Sequence, residues 1–520
     1  MNLDEIRGFV RLASGLRPFL KATLTPGEAI ESIRDGNRNR AARFLSKIEQ
    51  TVFSYPASPY LRLLQAAGCE LGDLHRLVKT EGVEGALERL RGAGVFMGWE
   101  ELKGRKEVRR GSCSWSFREE EFNNPIIRSH YISTSSGTSG GPVRIHIDLE
   151  DHVQSAPNWA FLFQLNGWMN EPLVFWTPKH TSLANRYLRC ARFGKKYSKW
   201  FILSKTSSLS GRLRSEVVHG LIRFIGGFPA PEPASLGQLQ KVADFLFDQL
   251  NAGWKPVVCT PPSAAAALAL EIGKKGRSLD GVSFLLGAEP VTAARRRTIE
   301  SSGARAVPTY GTSEGGWIGA QFPGDSLVDE VRIFRDAYAV IVQRDAPGPH
   351  AGPAPILVTN LRPAAPKVLI NAELGDSAVL EGIDSDDAAS QIGYNLRMHT
   401  IRSFRKVTAW GVTLALTDLY AVLEEDLPRG LNAAVGDFQL IEEQDEEGIS
   451  GLRLIVNSSV GASDNQVKRA FIRELSKKRM YYRAMAEMVN DAGVLRIERG
   501  CPIATEAGKV LPVMMPRQSE

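Results

Sequence analysis

Residues 256–309 read PVVCTPPSAAAALALEIGKKGRSLDGVSFLLGAEPVTAARRRTIESSGARAVPT, and this stretch decides the fold class. Short apolar runs alternate in it with segments of helical character. The predicted elements are a strand at Pro256–Thr260, an Ala-rich helix at Ser263–Gly273, a strand at Val282–Leu286, a helix at Val291–Ser301 and a strand at Ala304–Thr309. This alternation predicts a largely parallel sheet in an α/β fold. Ligands of such sheets bind at the carboxyl ends of the strands.

The pattern continues on both sides of this stretch. Upstream, Leu173–Thr177 is a predicted strand and Gln238–Asn251 is a predicted amphipathic helix. Apolar residues three or four apart predict further helices within 27–50 and 60–93. Downstream, after a Pro/Gly-rich stretch, two more strands are predicted at Ile356–Asn360 and Ala378–Leu380.

A second, smaller unit is predicted at the carboxyl end of the chain. It has strands at Val407–Trp410, Leu419–Glu425, Phe438–Ile441 and Leu452–Val456, followed by a helix over 464–478. We therefore expect a large N-terminal mixed α/β domain, residues 1–400, and a small mobile α+β domain, residues 401–520. Residues 1–58 are expected to be a helical extension to which the sequence assigns no role.

The composition is that of a globular chain. Of 520 residues, 43% are hydrophobic and 23% charged, which argues against a collagen-like, disordered or membrane-embedded protein. The net charge of +6 is a mild basic excess over this length, and no nucleic-acid-binding signature accompanies it. Five isolated cysteines and the lack of a secretory segment favour reduced thiols and a cytoplasmic location. The longest apolar run, Ala264–Leu270, is far shorter than the roughly 20 residues that a membrane helix needs.

The first chemical motif is Thr134-Ser-Ser-Gly-Thr-Ser-Gly-Gly-Pro142, between strand-like runs at His130–Ser133 and Val143–Ile147. Small residues allow backbone N–H groups to approach an anion, and hydroxyls add donors for phosphate oxygens. A plain flexible loop explains the same composition. No Gly-Lys-Ser/Thr follows, so this is not a Walker loop.

The second motif is Tyr310-Gly-Thr-Ser-Glu314, which closes the strand Ala304–Thr309. A tyrosine ring can stack on a purine and a hydroxyl can bind a phosphate oxygen. A carboxylate is a ligand that Mg²⁺ prefers. A turn at a strand end with a core tyrosine is the alternative.

Together these motifs resemble those of the adenylate-forming enzymes, the acyl-CoA synthetase superfamily. The order Ser-Ser-Gly-Thr-x-Gly-x-Pro resembles their phosphate loop, and Tyr310–Glu314 matches their Tyr-Gly-x-Thr/Ser-Glu motif at every defined position. Between the two, Gly287-Ala-Glu-Pro290 looks like the turn that flanks adenine, in the variant typical of the phenylacetate–CoA ligase branch. Val258-Cys-Thr-Pro-Pro-Ser263 resembles that branch's strand end beside the acyl pocket. The resemblance runs from about Pro59 to Val510.

Three further matches are partial. Asp376, in Glu373-Leu-Gly-Asp376, corresponds to the family's ribose-binding carboxylate, but Asn371 and Ala372 stand where an Arg-Tyr pair is usual. Arg402 corresponds to the start of the hinge segment, where Phe404 and Arg405 replace acidic residues. Lys509 corresponds to the lysine that contacts the substrate carboxylate and α-phosphate, although one extra residue separates it from Pro502.

The resemblance implies an ATP-dependent, AMP-forming acid–thiol ligase. A carboxylic acid, expected to be aromatic, would become an acyl-adenylate and then pass to the thiol of coenzyme A, releasing AMP and pyrophosphate. Loading of a carrier-protein thiol or an amine is the alternative, and a non-catalytic nucleotide-binding relative is a third hypothesis. ATP, Mg²⁺ and coenzyme A are the implied cofactors. A homodimer is left open, and neither a nucleic-acid nor a membrane partner is expected.

The same resemblance implies a set of site residues. The implied catalytic residues are Lys509, Ser313 and Glu314, with Glu314 also the metal ligand. The implied nucleotide-binding residues are Ser135, Ser136, Gly137, Thr138, Ser139, Gly140, Gly287, Ala288, Glu289, Pro290, Tyr310, Gly311, Thr312, Asp376 and Arg402. Five aromatic residues either line an aryl pocket or pack in the core: Trp159, Phe161, Phe163, Phe175 and Trp176.

Overall fold

The computed structural model describes most of the chain. The described residues are 3–134, 144–177, 182–203, 209–343, 353–403, 406–409, 412–434, 436–444, 450–478, 495–503 and 512–514.

The described helices alternate with strands along much of the chain. They are α1 (Leu3–Lys21), α2 (Pro26–Arg38), α3 (Arg40–Ile48), α4 (Pro59–Ala66), α5 (Leu71–Gly92), α6 (Trp99–Leu102), α7 (Leu149–Leu165), α8 (Ser182–Ala191), α9 (Leu209–Gly226), α10 (Leu239–Asn251), α11 (Pro262–Lys274), α12 (Ala293–Ser301), α13 (Ala388–Gln391), α14 (Leu416–Ala421), α15 (Leu427–Leu431) and α16 (Asp464–Lys478). Short π-helical turns lie at Glu49–Phe53 and Val422–Asp426, and 3₁₀ turns at Glu119–Phe122 and Leu236–Gln238.

The described strands are β1 (Val108–Arg110), β2 (Cys113–Trp115), β3 (Tyr131–Thr134), β4 (Arg144–Ile147), β5 (Leu173–Thr177), β6 (Tyr197–Ile202), β7 (Pro231–Pro233), β8 (Val257–Thr260), β9 (Ser283–Leu286), β10 (Arg305–Thr312), β11 (Gly316–Ala320), β12 (Val331–Ile333), β13 (Tyr338–Val342), β14 (Ala354–Asn360), β15 (Ala372–Gly382), β16 (Leu396–Ser403), β17 (Lys406–Ala409), β18 (Val412–Ala415), β19 (Phe438–Gln444), β20 (Ser450–Val456), β21 (Leu495–Arg499) and β22 (Val513–Met514).

A twelve-stranded sheet forms the centre of the fold, in the order β13-β14-β15-β16-β12-β11-β10-β9-β8-β5-β6-β7. From β10 to β7 the strands are parallel, whereas from β10 to β13 they are antiparallel. The mixed α/β fold class is confirmed, but the largely parallel sheet expected from residues 256–309 is only half of the real sheet. The antiparallel half begins because β10 is followed by a tight return into β11 instead of a helix.

The parallel half is built as its sequence predicts. All residues of β5, β8 and β9 are buried, because helices cover both faces of a parallel sheet. The Ala-rich α11 packs closely on the sheet, with Ala264, Ala265 and Ala266 fully buried. The α12 helix is capped by Thr292, whose hydroxyl accepts a hydrogen bond from the Arg295 N–H.

The N-terminal helices are part of the main core. Leu12, Leu16 and Phe44 are fully buried in the same apolar cluster as the sheet. The Lys47 ammonium is buried as well and donates to the Asn360 backbone oxygen at 2.9 Å. The helices α1, α2 and α3 therefore contribute to the same core as the sheet.

The carboxyl end of the chain forms a second sheet, in the order β21-β20-β19-β22, with its own apolar core. The strand predicted at Leu419–Glu425 is wrong: α14 and the π-helical turn at Val422–Asp426 occupy it. The reason is a period of three to four residues, which places Leu419, Leu423 and Leu427 on one buried face. Residues 400 and 401 fall inside β16, and the division of the chain at that point remains a prediction.

Two further features concern the chain's environment. All five cysteines are free thiols. Among the described residues, no helix has the length and apolarity required to cross a bilayer.

Candidate active site

The turn after β9 is held at the carboxyl end of the parallel strands. The Thr309 hydroxyl on β10 donates to the Leu286 carbonyl at 2.6 Å. Gly287 lies so close to β10 that a Cβ there would be 2.9 Å from that hydroxyl oxygen. Ala288 has a φ of +71°, a left-handed conformation that is uncommon for a residue with a side chain. Such strain persists only where the surroundings impose it, and it is concentrated at functional sites.

Glu289, the next residue, anchors the turn. Its carboxylate accepts hydrogen bonds from Ser263, at 3.1 Å from the backbone N–H and 2.9 Å from the hydroxyl. The Arg295 guanidinium lies 3.3 Å from the same carboxylate and also donates to the Pro290 carbonyl at 2.8 Å. The Glu289 side chain is fully buried, so it fastens the turn to the beginnings of α11 and α12. Its side chain acts inside the protein, whereas Ala288 is the exposed residue of the turn.

Tyr310 and Asp376 meet at this edge of the sheet. The Tyr310 hydroxyl on β10 donates to the Asp376 carboxylate on β15 at 2.9 Å. Burial first, and then the negative charge of Asp376, raise the pKa of Tyr310 well above its usual value, so the hydroxyl remains a donor. The structure thus brings together two residues that the sequence analysis had assigned separately, to adenine and to ribose.

The expected turn at Tyr310–Glu314 is only partly a turn. Strand β10 continues to Thr312, with an irregularity between Tyr310 and Gly311 where it pairs with β11. A Cβ at Gly311 would lie 2.7 Å from the Gly316 carbonyl, so close approach of the two strands requires glycine there. The Thr312 hydroxyl accepts from the Gly315 N–H at 2.9 Å and closes the turn, while Ser313 is exposed.

Glu314 pairs with Lys103, a residue that the sequence analysis did not single out. The Lys103 ammonium contacts the Glu314 carboxylate and lies 2.8 Å from Glu119, and its side chain is 3% exposed. Lys367 completes the group, 3.8 Å from the same Glu119 carboxylate. Burial raises the pKa of Glu314, but the positive charge and hydrogen bond of Lys103 outweigh it and hold the pKa at about 2. We call Lys103, Glu119, Glu314 and Lys367 the Lys103 cluster.

The Lys103 cluster bears on the predicted magnesium site. Among the described residues, no three His, Cys, Asp or Glu side chains are grouped to hold a metal ion. Mg²⁺ commonly binds through one or two protein carboxylates together with substrate phosphates. Glu314 fits that mode as a single ionised carboxylate. The Glu314 carboxylate would then contact both Lys103 and the Mg²⁺ ion.

Arg402 lies next to Asp376 across the sheet. In the pairing of β15 with β16, Ser377 is opposite Arg402 and Asp376 is opposite Ser403. The Arg402 guanidinium donates to the Asp329 carboxylate at 2.8 Å. Asp329 also accepts from the backbone N–H groups of residues 400 and 401, each at 2.8 Å. Arg402 is therefore fixed where β16 leaves the large sheet.

Asn371, the first of the two residues that stand in place of the usual Arg-Tyr pair, has a structural role, and Ala372 is buried at the start of β15. Asn371 has a φ of +46° and is buried. Its side-chain amide donates to the Leu87 carbonyl at 2.8 Å and the Val95 carbonyl at 3.1 Å. These bonds tie the end of α5 to β15, which places Asp376 at the site.

The remaining predicted site residues lie outside the described part of the chain. They are Ser135, Ser136, Gly137, Thr138, Ser139, Gly140 and Lys509, together with the hinge residues Phe404 and Arg405. The strands on either side of the first loop are described: β3 and β4 form an antiparallel pair that ends at Thr134 and Arg144.

Two of the five aromatic residues line a cavity, and the other three pack among neighbouring side chains. Trp159 and Phe175 are in its wall. Phe161 packs against Phe322 and Tyr394, Phe163 packs against Trp168 and Phe193, and the Trp176 indole donates to the Ala234 carbonyl. Trp176 follows Phe175 along β5, so its side chain lies on the opposite face of the sheet. Phe163 packs in the core beside the Trp159 ring, with the two centroids 6.3 Å apart.

Comparison with solved structures defines the class of this fold. A 2-hydroxyisobutyryl-CoA ligase, solved with 2-HIB-AMP and CoA, is 14% identical with a TM-score of 0.53, over 92% of this chain and 90% of that one. An o-succinylbenzoate CoA synthetase from Bacillus subtilis is 13% identical with a TM-score of 0.42, over 77% and 71%. An amide bond synthetase variant from Marinactinospora thermotolerans is 12% identical with a TM-score of 0.40, over 92% and 97%.

The chain therefore has the fold of the adenylate-forming enzymes, the AMP-forming acyl-CoA synthetases and adenylation domains. No family model matches its sequence. No curated protein matches it either. Its assignment to the phenylacetate–CoA ligase branch stays a prediction.

Proposed function

We propose that this protein activates a carboxylic acid with ATP and transfers the acyl group to the thiol of coenzyme A. In the first step a carboxylate oxygen attacks the α-phosphorus of ATP, and the bond to the β-phosphate breaks to release pyrophosphate. In the second step the thiol sulfur attacks the acyl carbon of the adenylate, loses its proton, and AMP leaves. The ligase with the same fold was solved with an adenylate and CoA together, which supports this order of steps.

The observation that carries the proposal is the hydrogen bond between Tyr310 and Asp376. These residues are 66 positions apart in the chain and belong to different strands, yet they meet at the edge of the sheet where α/β folds bind ligands. A tyrosine and an ionised carboxylate side by side suit a nucleoside, because the ring offers a stacking face and the carboxylate accepts both ribose hydroxyls.

The residues around this pair would position the nucleotide. The turn at 287–290, fastened by Glu289, would lie along the adenine edge. Asp376 would accept the ribose hydroxyls, and Thr312 and Ser313 would approach the phosphates. Because such groups are fixed before the substrate binds, they stabilise developing charge with little reorganisation.

Glu314 would hold Mg²⁺ when the nucleotide is present. The ion would supply positive charge to the phosphate oxygens as pyrophosphate departs. Lys103 keeps Glu314 ionised before the nucleotide arrives, which prevents the buried carboxyl from taking up a proton. In the undescribed segments, residues 135–140 would donate to the β- and γ-phosphates, and Lys509 would bridge the substrate carboxylate and the α-phosphate.

A carrier-protein thiol or an amine is the second candidate acceptor. The sequence observation in its favour is Phe404, which stands at the acidic position of the hinge segment that borders the thiol tunnel in the resembling family. Arg402, Arg405 and Lys406 favour coenzyme A, because its phosphates require basic partners.

The test is a two-stage assay on the full chain. Pyrophosphate release across a panel of carboxylic acids measures the first step, and mass spectrometry of the thioester with coenzyme A measures the second. We expect acid-dependent pyrophosphate release followed by slow acyl-CoA formation. If the adenylate persists with coenzyme A but disappears with a carrier protein, the acceptor is the carrier protein and not coenzyme A. If none of the acids causes pyrophosphate release, the proposal as a whole is wrong.

A further inference from the structure

A buried tyrosine that has no part in the proposed chemistry holds the backbone next to Glu314. Tyr338, on β13, is fully buried, and its hydroxyl donates to the Gly315 carbonyl at 2.6 Å. The two residues are 23 positions apart in the chain, so this bond joins β13 to the turn between β10 and β11. Gly315 directly follows Glu314, the proposed ligand of Mg²⁺.

Side chains hold both hydrogen-bonding groups of Gly315. The Thr312 hydroxyl accepts from the Gly315 N–H at 2.9 Å, while the Tyr338 hydroxyl donates to the carbonyl. The N–H belongs to the peptide group that joins Glu314 to Gly315, and the carbonyl belongs to the next peptide group. Because each peptide group is planar, two successive planes are fixed on the carboxyl side of Glu314. This restricts the backbone from which the Glu314 side chain projects.

Arg362 holds the Tyr338 hydroxyl in the donating orientation. The guanidinium lies 5.1 Å from the centroid of the tyrosine ring and donates to the hydroxyl oxygen at 2.8 Å. Since that oxygen already accepts from a cation, its own proton is directed to the Gly315 carbonyl. Hydrogen bonds linked in this way polarise and strengthen one another. Burial raises the pKa of Tyr338, so the hydroxyl keeps its proton.

An ion pair keeps Arg362 in place beneath the turn. Arg362 is buried, and its guanidinium lies 3.5 Å from the buried Asp151 carboxylate on α7. Separating two such charges inside a protein is costly, because each would be left without a partner. The contacts therefore run from Asp151 through Arg362 and Tyr338 to the turn that carries Glu314.

We propose that Tyr338 is a positioning residue for the Glu314 carboxylate in magnesium binding. The inference rests on the proposed function, since it concerns the metal ligand of the same site. Lys103 contacts the Glu314 carboxylate itself, whereas Tyr338 fixes the backbone behind it. Without the Tyr338 hydroxyl the Gly315 carbonyl can turn, and the carboxylate loses its fixed position. Groups that orient a metal ligand contribute to metal affinity although they do not touch the metal.

The experiment measures how much Mg²⁺ strengthens nucleotide binding by the full chain. The probe is the ATP analogue with a methylene group between the α- and β-phosphates, which cannot release pyrophosphate. Titration calorimetry gives its affinity with Mg²⁺ and with EDTA, and we call the ratio of the two affinities the magnesium gain. The variants are Tyr338→Phe, which removes only the hydroxyl, Glu314→Gln, and the two combined.

A matched control is Tyr394→Phe. Tyr394 is also fully buried, and its hydroxyl accepts from the Asn158 amide at 2.6 Å and donates to the Asp336 carboxylate at 3.0 Å. Neither partner belongs to the turn after β10. This variant therefore tests for the loss of a buried tyrosine hydroxyl alone, and thermal unfolding compares the stability that the two tyrosine variants lose.

We expect Tyr338→Phe to lower the magnesium gain by about tenfold, with the affinity in EDTA unchanged. Tyr394→Phe should lose stability as well but keep the full gain. The combined variant should have the same gain as Glu314→Gln, because Tyr338 acts through that carboxylate and the two effects are then not additive.

Three results would decide against the inference. Equal losses of the gain in the two tyrosine variants, or a further loss in the combined variant, would show that Tyr338 does not act through Glu314. A full gain in Tyr338→Phe when Glu314→Gln has lost it would also overturn the inference, and it would leave the proposed function standing. If Glu314→Gln itself keeps the full gain, the magnesium role of Glu314 in the proposed function fails together with the inference.

Discussion

At the scale of single residues, the site depends on groups that hold one another in place. Tyr310 and Asp376 are the clearest pair, because each is restricted by burial and by the same hydrogen bond. The roles expected from the sequence, a purine platform and a ribose acceptor, are compatible with this bond. The hydrogen bond from the Tyr310 hydroxyl restricts the orientation of the Asp376 carboxylate.

Tyr310→Phe tests this pair. The ring remains, but Asp376 loses a hydrogen bond to a charged group, which contributes about 1.5–3 kcal/mol. We expect KM for ATP to rise by about tenfold while the affinity for the acid changes little. Titration calorimetry with AMP is the second measurement. An unchanged AMP affinity would show that the Tyr310 hydroxyl does not contribute to nucleotide binding.

Glu314 gives a pH-dependent prediction. Its folded-state pKa is about 2, below the ordinary value of 4.5, so the stability it contributes is present above pH 4.5 and is lost as the pH falls toward 2. The difference corresponds to about 3 kcal/mol. In urea unfolding, Glu314→Gln should be markedly less stable than the unaltered protein at pH 6, and the gap should narrow at pH 3.5. Glu120→Gln, at an exposed neighbour of Glu119, is the control and should show no such trend.

At the scale of elements, the turn after β9 is rigid because two helix starts hold it. The sequence predicts this turn, and the family resemblance assigns its glutamate to the nucleotide, whereas the Glu289 side chain is directed inward to Ser263 and Arg295. Nothing in the sequence near Glu289 shows this, because the partner serine is 26 residues upstream. The strained Ala288 backbone is also invisible in the sequence, since alanine ordinarily predicts helix.

Glu289→Gln tests the fastening of this turn. Removing one member of a buried ion pair costs about 3–5 kcal/mol, so we expect a clear loss in the free energy of unfolding and a higher KM for ATP. Lys275→Gln, which breaks the exposed pair with Glu271, should cost under about 1 kcal/mol and leave KM unchanged. Equal effects of the two substitutions would contradict the role given to Glu289.

Other elements show where local patterns fail. The strands and helices of 256–309 were predicted within a few residues, because their periodicity and their tertiary setting agree. The strand prediction at Leu419–Glu425 is wrong because a short apolar run fits both the two-residue period of a strand and the 3.6-residue period of a helix. The antiparallel strands β11 to β16 were largely missed, since the course of the chain after Glu314 depends on long-range pairing. Lys103 was missed for the same reason: its partner Glu314 is 211 positions away.

At the scale of the whole molecule, the chain combines a large mixed sheet with a second sheet and core near its carboxyl end. Leu236 and Ala267, on the large part, pack against that second core. In the proposed function the carboxyl-terminal segment carries Lys509 to the α-phosphate only when it closes over the site. The nucleotide would bind before that closure, through groups of the large sheet.

Lys509→Ala tests this division of labour. We expect adenylate formation to fall by about 10²–10³ or more, because one charged transition-state contact is removed, while the affinity for ATP stays within a few-fold. Lys468→Ala, on α16, is a control for the loss of a lysine charge elsewhere in the carboxyl-terminal segment. Near-normal formation of acyl-AMP by Lys509→Ala would remove this lysine from the chemistry.

The central claim is that a substrate carboxylate attacks the α-phosphorus of ATP, and an isotope measurement tests it most directly. An acid labelled with ¹⁸O in its carboxylate is turned over with ATP and coenzyme A, and the masses of the products are measured by mass spectrometry. The account predicts one ¹⁸O atom in AMP, since the attacking carboxylate oxygen stays on phosphorus when the thiol takes the acyl group. Unlabelled AMP, or the label in inorganic phosphate with ADP as co-product, would contradict it.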